Sequence, residues 1–170
     1  MHIHLDKIHH INPEIIQISG SKSETNRALL LQALYPNIEI ENSSDSDDSE
    51  VMQLALKSST NLIDVHHAGT AMRFLTAYFA IQPQSEVIIT GSERMQQRPI
   101  KILVRALQNL GANIEYLQNE GFPPIKIKGT QLQKKSIEID ANVSSQYISA
   151  LLLIAPKLPN GLEITLKGEI

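Results

Sequence analysis

SGSKSETNRALLLQAL, residues 19–34, decides how this chain is read. It has the form of a strand end, a tight polar turn and a strongly apolar helix. Ser23 suits the N-cap. Glu24, Thr25 and Asn26 fill the first turn, and Ala28–Leu31, Ala33 and Leu34 supply the apolar face. The unusual feature is positive charge. Lys22 stands just before the helix and Arg27 in its first turns, where a cation opposes the helix dipole at a cost of about 0.3–1 kcal/mol unless an anion compensates. The bare backbone N–H groups of a helix start favour such an anion. Ser23 and Arg27, four residues apart, share one helix face. Two readings stay open here: Lys22, Ser23 and Arg27 converge on a phosphate or carboxylate, or the two cations are ordinary surface charges on an amphipathic helix.

The totals narrow the classes. The 170 residues are 42% hydrophobic and 19% charged, which suits a globular domain with a real core. Only 4% are aromatic and Trp is absent, so aliphatic side chains must fill that core. A net charge of −3 argues against a broad basic surface for nucleic acid, so any anion site is a local cluster. Without Cys there is no disulfide, thiolate metal site or Cys nucleophile. The opening MHIHLDKIHH is too polar for a signal peptide, and no apolar run is long enough to span a membrane. The expectation is a cytoplasmic protein with neither a nucleic-acid nor a membrane partner.

Along the chain, two short strands are expected around Ile3–Leu5 and Ile15–Ile18, with a turn at Asn12–Pro13. His2 and His4 would share a strand face and His9 and His10 are adjacent, but no carboxylate-and-His spacing makes a metal site of them. Ile38–Glu41 reads as another strand. The acidic NSSDSDDSE, residues 42–50, resembles half an EF-hand loop but lacks its Gly and terminal Glu. It reads instead as a helix start capped by Ser46, with Val51, Leu54 and Ala55 facing the core to about Lys57.

Then come a strand at Asn61–His66, a helix opened by Ala68-Gly69-Thr70 that runs to about Ala80, a strand at Glu86–Thr90 and a polar loop over Gly91–Arg98. Pro99 suits a first helical position before Ile100–Leu110, which Gly111 ends. Strands at Asn113–Leu117 and Ile125–Lys128 flank a Gly121–Pro124 turn. Ser136–Asp140, a helix from Ser144-Ser145-Gln146 to about Ala155, and Gly161–Leu166 follow. Residues 61–128 therefore read β-α-β-α-β-β, residues 136–166 begin that order again, and residues 15–57 carry a related β-α-β-α run. A repeated α+β unit with helices covering half-buried sheets is the fold expected.

Phosphate-suitable groups recur at the helix starts: Lys22, Ser23 and Arg27; Gly69, Thr70 and Arg73; Arg98; Ser144, Ser145 and Gln146. Together they would suit a ligand with more than one anionic group, although Ser and Thr cap helices everywhere. A nucleotide P-loop fails, since Lys22 does not directly follow Gly20 and the first Gly is missing. Paired catalytic carboxylates and a Ser-His-Asp order are also absent.

In register, SGSKSETNRALLLQAL, AGTAMRF (68–74), GSERMQQRPI (91–100) and VSSQYISALLLIAP (143–156) resemble the 5-enolpyruvylshikimate-3-phosphate synthase family, also called 3-phosphoshikimate 1-carboxyvinyltransferase. The resemblance implies βαβαββ units in an enolpyruvyl transferase-like inside-out α/β barrel. It implies transfer of the carboxyvinyl group of phosphoenolpyruvate to the 5-hydroxyl of shikimate 3-phosphate, with release of phosphate, on the path to chorismate. By motif position, Lys22 would be the catalytic cation and contact both substrates. Ser23, Arg27, Ser144 and Ser145 would hold shikimate 3-phosphate, Gly69 and Arg98 would hold phosphoenolpyruvate, and Gln146 would lie between the two. No metal and no organic cofactor are implied.

Two departures stand out: the family usually has Asn at His67 and Pro at Phe74. Family members also have two domains of three units each. The resemblance therefore makes residues 20–170 an incomplete N-terminal substrate-binding domain. It makes residues 1–19 strands that belong to the second domain. The expectation is an N-terminal fragment, inactive alone and prone to self-association through exposed edges, from a monomeric full-length protein. The alternatives are UDP-N-acetylglucosamine carboxyvinyltransferase, which usually employs a Cys, and a non-catalytic phosphate-binding module or a structural subunit on the same repeat.

Overall fold

The structure, a computed structural model, describes residues 2–7, 13 and 15–168. Its centre is helix α3, Gly69–Ala80, with the sequence GTAMRFLTAYFA. A helix that is apolar around its whole circumference has to be enclosed on all sides, and every residue from Ala71 to Ala77 is buried. Four other helices surround or extend it: α1 (Lys22–Leu34), α2 (Asp47–Lys57), α5 (Lys101–Leu110) and α6 (Ser145–Ile154). α3 packs against each of them and against the sheet.

That sheet has four strands in the order β1 (Leu62–Asp64), β2 (Glu86–Thr90), β4 (Ile125–Lys128) and β3 (Asn113–Tyr116). β1 and β2 run parallel, joined by the α3 crossover, with Ile63 opposite Ile89. β4 lies antiparallel to both neighbours, opposing Ile127 to Val87 and to Ile114. Alternation buries Val87 and Ile89 on β2 and Ile125 and Ile127 on β4 against the helices. This is the one-sided burial that the period-2 pattern requires. A second sheet pairs β5 (Ser136–Asp140) in parallel with β6 (Glu163–Lys167), crossed over by α6. The β-α-β-α-β-β unit over residues 61–128 and its restart at residue 136 are thus present. α5 ends where expected, at Gly111 in the left-handed region with φ +111°.

Several local expectations are corrected. α1 starts two residues earlier than read: Ser21 is the N-cap, its Oγ accepting from the Glu24 N–H, and Lys22 and Ser23 are helical. No strand forms at Ile3–Leu5, Ile15–Ile18 or Ile38–Glu41. Alternation makes a strand only where a sheet edge is available to pair with it. The segment after α1 is held instead by Gln32 Nε2, which donates to the Ile38 carbonyl at 2.7 Å. The turn read at Asn12–Pro13 needs Asn12, which, like the His9–His10 pair, falls outside the described residues.

On α2, Ser46 is the N-cap as read, and Met52 and Ala55 face inward, while Leu54 is 70% exposed. The polar loop after β2 contains a helical turn, α4 (Glu93–Gln96), capped by Ser92 Oγ. Pro99 precedes the α5 N-cap, Ile100, and so stands outside the helix. Among the described residues, no helix is long and apolar enough to cross a membrane.

Candidate functional site

The helices start at one end of the molecule. The Ser44 N–H donates to Thr25 Oγ1 at 2.9 Å, placing the approach to α2 beside the first turn of α1. Asp47, the first residue of α2, stands 3.6 Å from His67 Nε2, just ahead of α3. Gln146 Nε2 in the first turn of α6 reaches Thr70 Oγ1 on α3 at 3.3 Å. Next to it, Tyr147 Oη donates to the Pro99 carbonyl at 2.8 Å, at the approach to α5. Five helix N-termini are therefore tied into one row by side-chain contacts, each presenting backbone N–H groups and a positive dipole end, which Glu24 in α1 and Asp47, Asp48 and Glu50 in α2 offset locally.

The cations stand on the same end. Arg98 is exposed, and its guanidinium lies so close to Gly69 that a Cβ there would meet Nη1 at 2.4 Å and Cζ at 2.9 Å. Only glycine leaves room for this approach. From the other side Arg73, 6% exposed, donates from Nη1 to the Gly69 carbonyl at 2.8 Å and lies 5.7 Å from the Tyr147 ring centre. Burial lowers the Arg73 pKa; the Tyr147 oxygen opposes that shift and the Arg98 charge adds to it. A guanidinium nevertheless stays charged in proteins. Arg27 Nη1 donates to the Ser23 carbonyl and to Ser23 Oγ, both at 2.9 Å, so these two share a face as the spacing requires. Lys22 and Ser23 are exposed in the first turn of α1.

Among the described residues, none of Lys22, Arg27, Arg73, Arg94 or Arg98 lies within 4.0 Å of a carboxylate. Cations gathered at helix starts without acidic partners repel one another and oppose the dipoles. The arrangement is favourable once anions enter it. An open cleft of about 430 Å³, lined by His67, Arg94, Met95 and Arg98, lies beside Gly69. A cleft of about 490 Å³ at the opposite, C-terminal ends of α1 and α3 has Lys157 as its sole basic lining residue.

The candidate residues from the sequence thus fall into two groups. Gly69, Arg98 and Gln146 meet around Thr70 and Tyr147. Ser23 and Arg27 pair on α1, with Lys22 beside them. Ser144 is the N-cap of α6, its Oγ accepting from the Gln146 N–H, and Ser145 is exposed next to it. Sequence reasoning passed over Arg94 and Tyr147. The first stands four residues before Arg98 and lines the same cleft, and the second directly follows Gln146. The buried Nδ2 and Oδ1 of Asn26 and Nε of Arg73 have no hydrogen-bond partner among the described residues.

Comparison with known proteins gives the lineage of this arrangement. The family model for EPSP synthase (3-phosphoshikimate 1-carboxyvinyltransferase) matches residues 53–170. A 3-phosphoshikimate 1-carboxyvinyltransferase from Bacteroides fragilis is 56% identical over 156 residues, covering 91% of this chain and 38% of the relative. One from Haemophilus ducreyi is 39% identical over 198 residues, covering 99% of this chain and 45% of the relative. The chain therefore spans about two-fifths of the length of the curated relatives it matches. The solved EPSP synthase from Acinetobacter baumannii superposes with a TM-score of 0.75 at 20% identity, over 91% of this chain and 41% of that one, a likeness of fold. With the family model spanning most of its length and the motif-bearing helix starts gathered at one end, the chain belongs to the EPSP synthase (3-phosphoshikimate 1-carboxyvinyltransferase) family.

Proposed function

We propose that this chain forms one substrate-binding face of a 3-phosphoshikimate 1-carboxyvinyltransferase. In the reaction the 5-hydroxyl oxygen of shikimate 3-phosphate adds to the carbon of phosphoenolpyruvate that bears the phosphate, while the methylene carbon takes up a proton; loss of a proton from that carbon and of phosphate then leaves the carboxyvinyl ether, on the route to chorismate. One observation carries the reading: two guanidinium groups without carboxylate partners flank Gly69 at the end where five helix starts gather. Each substrate carries a phosphate and a carboxylate, which such an end would receive.

Lys22 is assigned to both substrates, where its ammonium would stabilise charge developing in addition and elimination. Ser23, Arg27, Ser144 and Ser145 are assigned to shikimate 3-phosphate, Gly69 and Arg98 to phosphoenolpyruvate, and Gln146 to the boundary between them. Serine hydroxyls take phosphate oxygens without adding charge, and arginine gives bidentate contacts. Residues 20–170 are read as part of the substrate-binding domain and residues 1–19 as a segment that docks on a second domain. The exposure of Ile3, Leu5, Ile15, Ile16 and Ile18 supports the second reading. These 170 residues supply one half of the ligand site. Turnover draws on the further length that the relatives have. The protein is read as cytoplasmic, acting as a monomer at full length and without a metal or organic cofactor.

Calorimetric titration tests this. Shikimate 3-phosphate and phosphoenolpyruvate should each bind at least tenfold more tightly than inorganic phosphate, and Arg27→Ala should weaken the former selectively. Equal affinity for all phosphate esters would point to a non-catalytic phosphate-binding module. Preference for UDP-N-acetylglucosamine would point to the sister transferase.

A further inference from the structure

We propose that Tyr147 is a positioning residue that holds Arg98 against Gly69; its consequence for ligand affinity rests on the function proposed above. Arg98 sits in the short link between α4 and α5, whose far end is held by the Ile100 N–H on the Gly121 carbonyl at 2.9 Å. The Arg98 N–H donates to the Met95 carbonyl at 3.0 Å on one side. On the other, the carbonyl of Pro99 receives Tyr147 Oη at 2.8 Å. Proline's fixed φ passes that restraint back toward Arg98 with little slack.

The same ring lies under Arg73, whose Nη1 holds the Gly69 carbonyl. One aromatic side chain thus touches the supports of both guanidinium groups beside Gly69. Two like charges so placed push each other apart, and Arg98, exposed on a long side chain, is the one free to leave. An anchor on the link is what keeps it in place. Packing alone does not account for the hydroxyl: the Tyr147 ring is buried, and a phenylalanine would fill the same space. The hydroxyl adds a directional tie between α6 and the Arg98–Pro99 backbone. Because Tyr147 follows Gln146 in the first turn of α6, the tie also joins Arg98 to the serine corner at Ser144 and Ser145.

The test uses Tyr147→Phe in two arms. In the first, without ligand, the ¹⁵N heteronuclear NOE of the Arg98 Nε–Hε group should fall clearly while the unfolding midpoint stays within about 3 °C, since water can take the Pro99 carbonyl. In the second, titration with phosphoenolpyruvate should show affinity reduced about three- to tenfold, the range expected for one lost hydrogen bond. In an Arg98→Ala background the same substitution should then change affinity less than twofold, because the two act as one unit. An unchanged Arg98 NOE, or an equal fold-loss in both backgrounds, overturns the proposal. If the NOE falls but the unsubstituted chain does not bind phosphoenolpyruvate, the positioning role stands and the substrate assignment fails.

Discussion

Arg98 and Gly69, twenty-nine positions apart in the chain, are in van der Waals contact, guanidinium against backbone, with no room between them for a methyl group. Gly69→Ala should therefore separate binding from stability. The colliding atoms are the far end of a flexible side chain, so Arg98 swings away and the fold survives. The unfolding midpoint should stay within a few degrees, while phosphoenolpyruvate affinity falls about tenfold, the scale of a lost charge-assisted contact. Calorimetric titration and a thermal melt on the same sample check both halves.

Gly20 gives the opposite expectation. A Cβ there would stand 1.9 Å from the Asn42 carbonyl oxygen, which is backbone and cannot rotate aside. Gly20→Ala should displace the segment that carries Ser44 away from Thr25, at a cost of about 1–3 kcal/mol. That corresponds to a fall of about 2–12 °C in the midpoint for a chain of this size.

Arg73 is a buried cation with an unpartnered Nε and no carboxylate within reach among the described residues. Replacing a poorly compensated buried charge by an apolar side chain of similar volume is often neutral or stabilising. Arg73→Met should hold stability within about 1 kcal/mol or raise it. It should also weaken anion binding by removing charge from beside Gly69. Denaturant titration and a phosphoenolpyruvate titration report the two effects separately.

Leu75 is fully buried at the middle of α3, between the surrounding helices and the sheet. Leu75→Ala should cost about 2–5 kcal/mol, the range for a leucine truncated in a close-packed core. Equilibrium urea unfolding would show it as a lower midpoint with an unchanged slope.

The Glu86–Lys126 pair, 2.5 Å apart across β2 and β4, carries a pH signature. The hydrogen bond from Lys126 holds the Glu86 carboxyl below its ordinary value near 4.5. A carboxyl depressed in the folded state contributes stability above its unfolded value, lost as pH falls through the folded one. The Lys126 ammonium is raised by the same bond, and its contribution disappears only as pH rises through that raised value. Glu86→Gln should flatten the acid limb of a midpoint-against-pH profile below about pH 4.5 and leave the neutral region little changed. An acid limb identical to that of the unsubstituted chain would remove the pair from the account.

Local physics was legible in the sequence by itself. The apolar circumference of GTAMRFLTAYFA demands burial on all sides. Gly111 ends α5 because the left-handed backbone there suits glycine, and the alternating strands after Asn61 show their buried face by period alone. The grouping of cations at helix starts, and the spacing of Ser23 and Arg27, followed from helical geometry. Partnership was decided only in three dimensions. Ile15–Ile18 and Ile38–Glu41 alternate as strands do, yet among the described residues neither pairs with a strand. Ser21 displaces Ser23 as the α1 cap because its backbone stays extended while Ser23 is already helical. No spacing in the chain announces that Arg98 reaches Gly69, or that Tyr147 ties α6 to Pro99. Those contacts join residues dozens of positions apart, and they exist because α3 draws the starts of α5 and α6 to one end of the molecule.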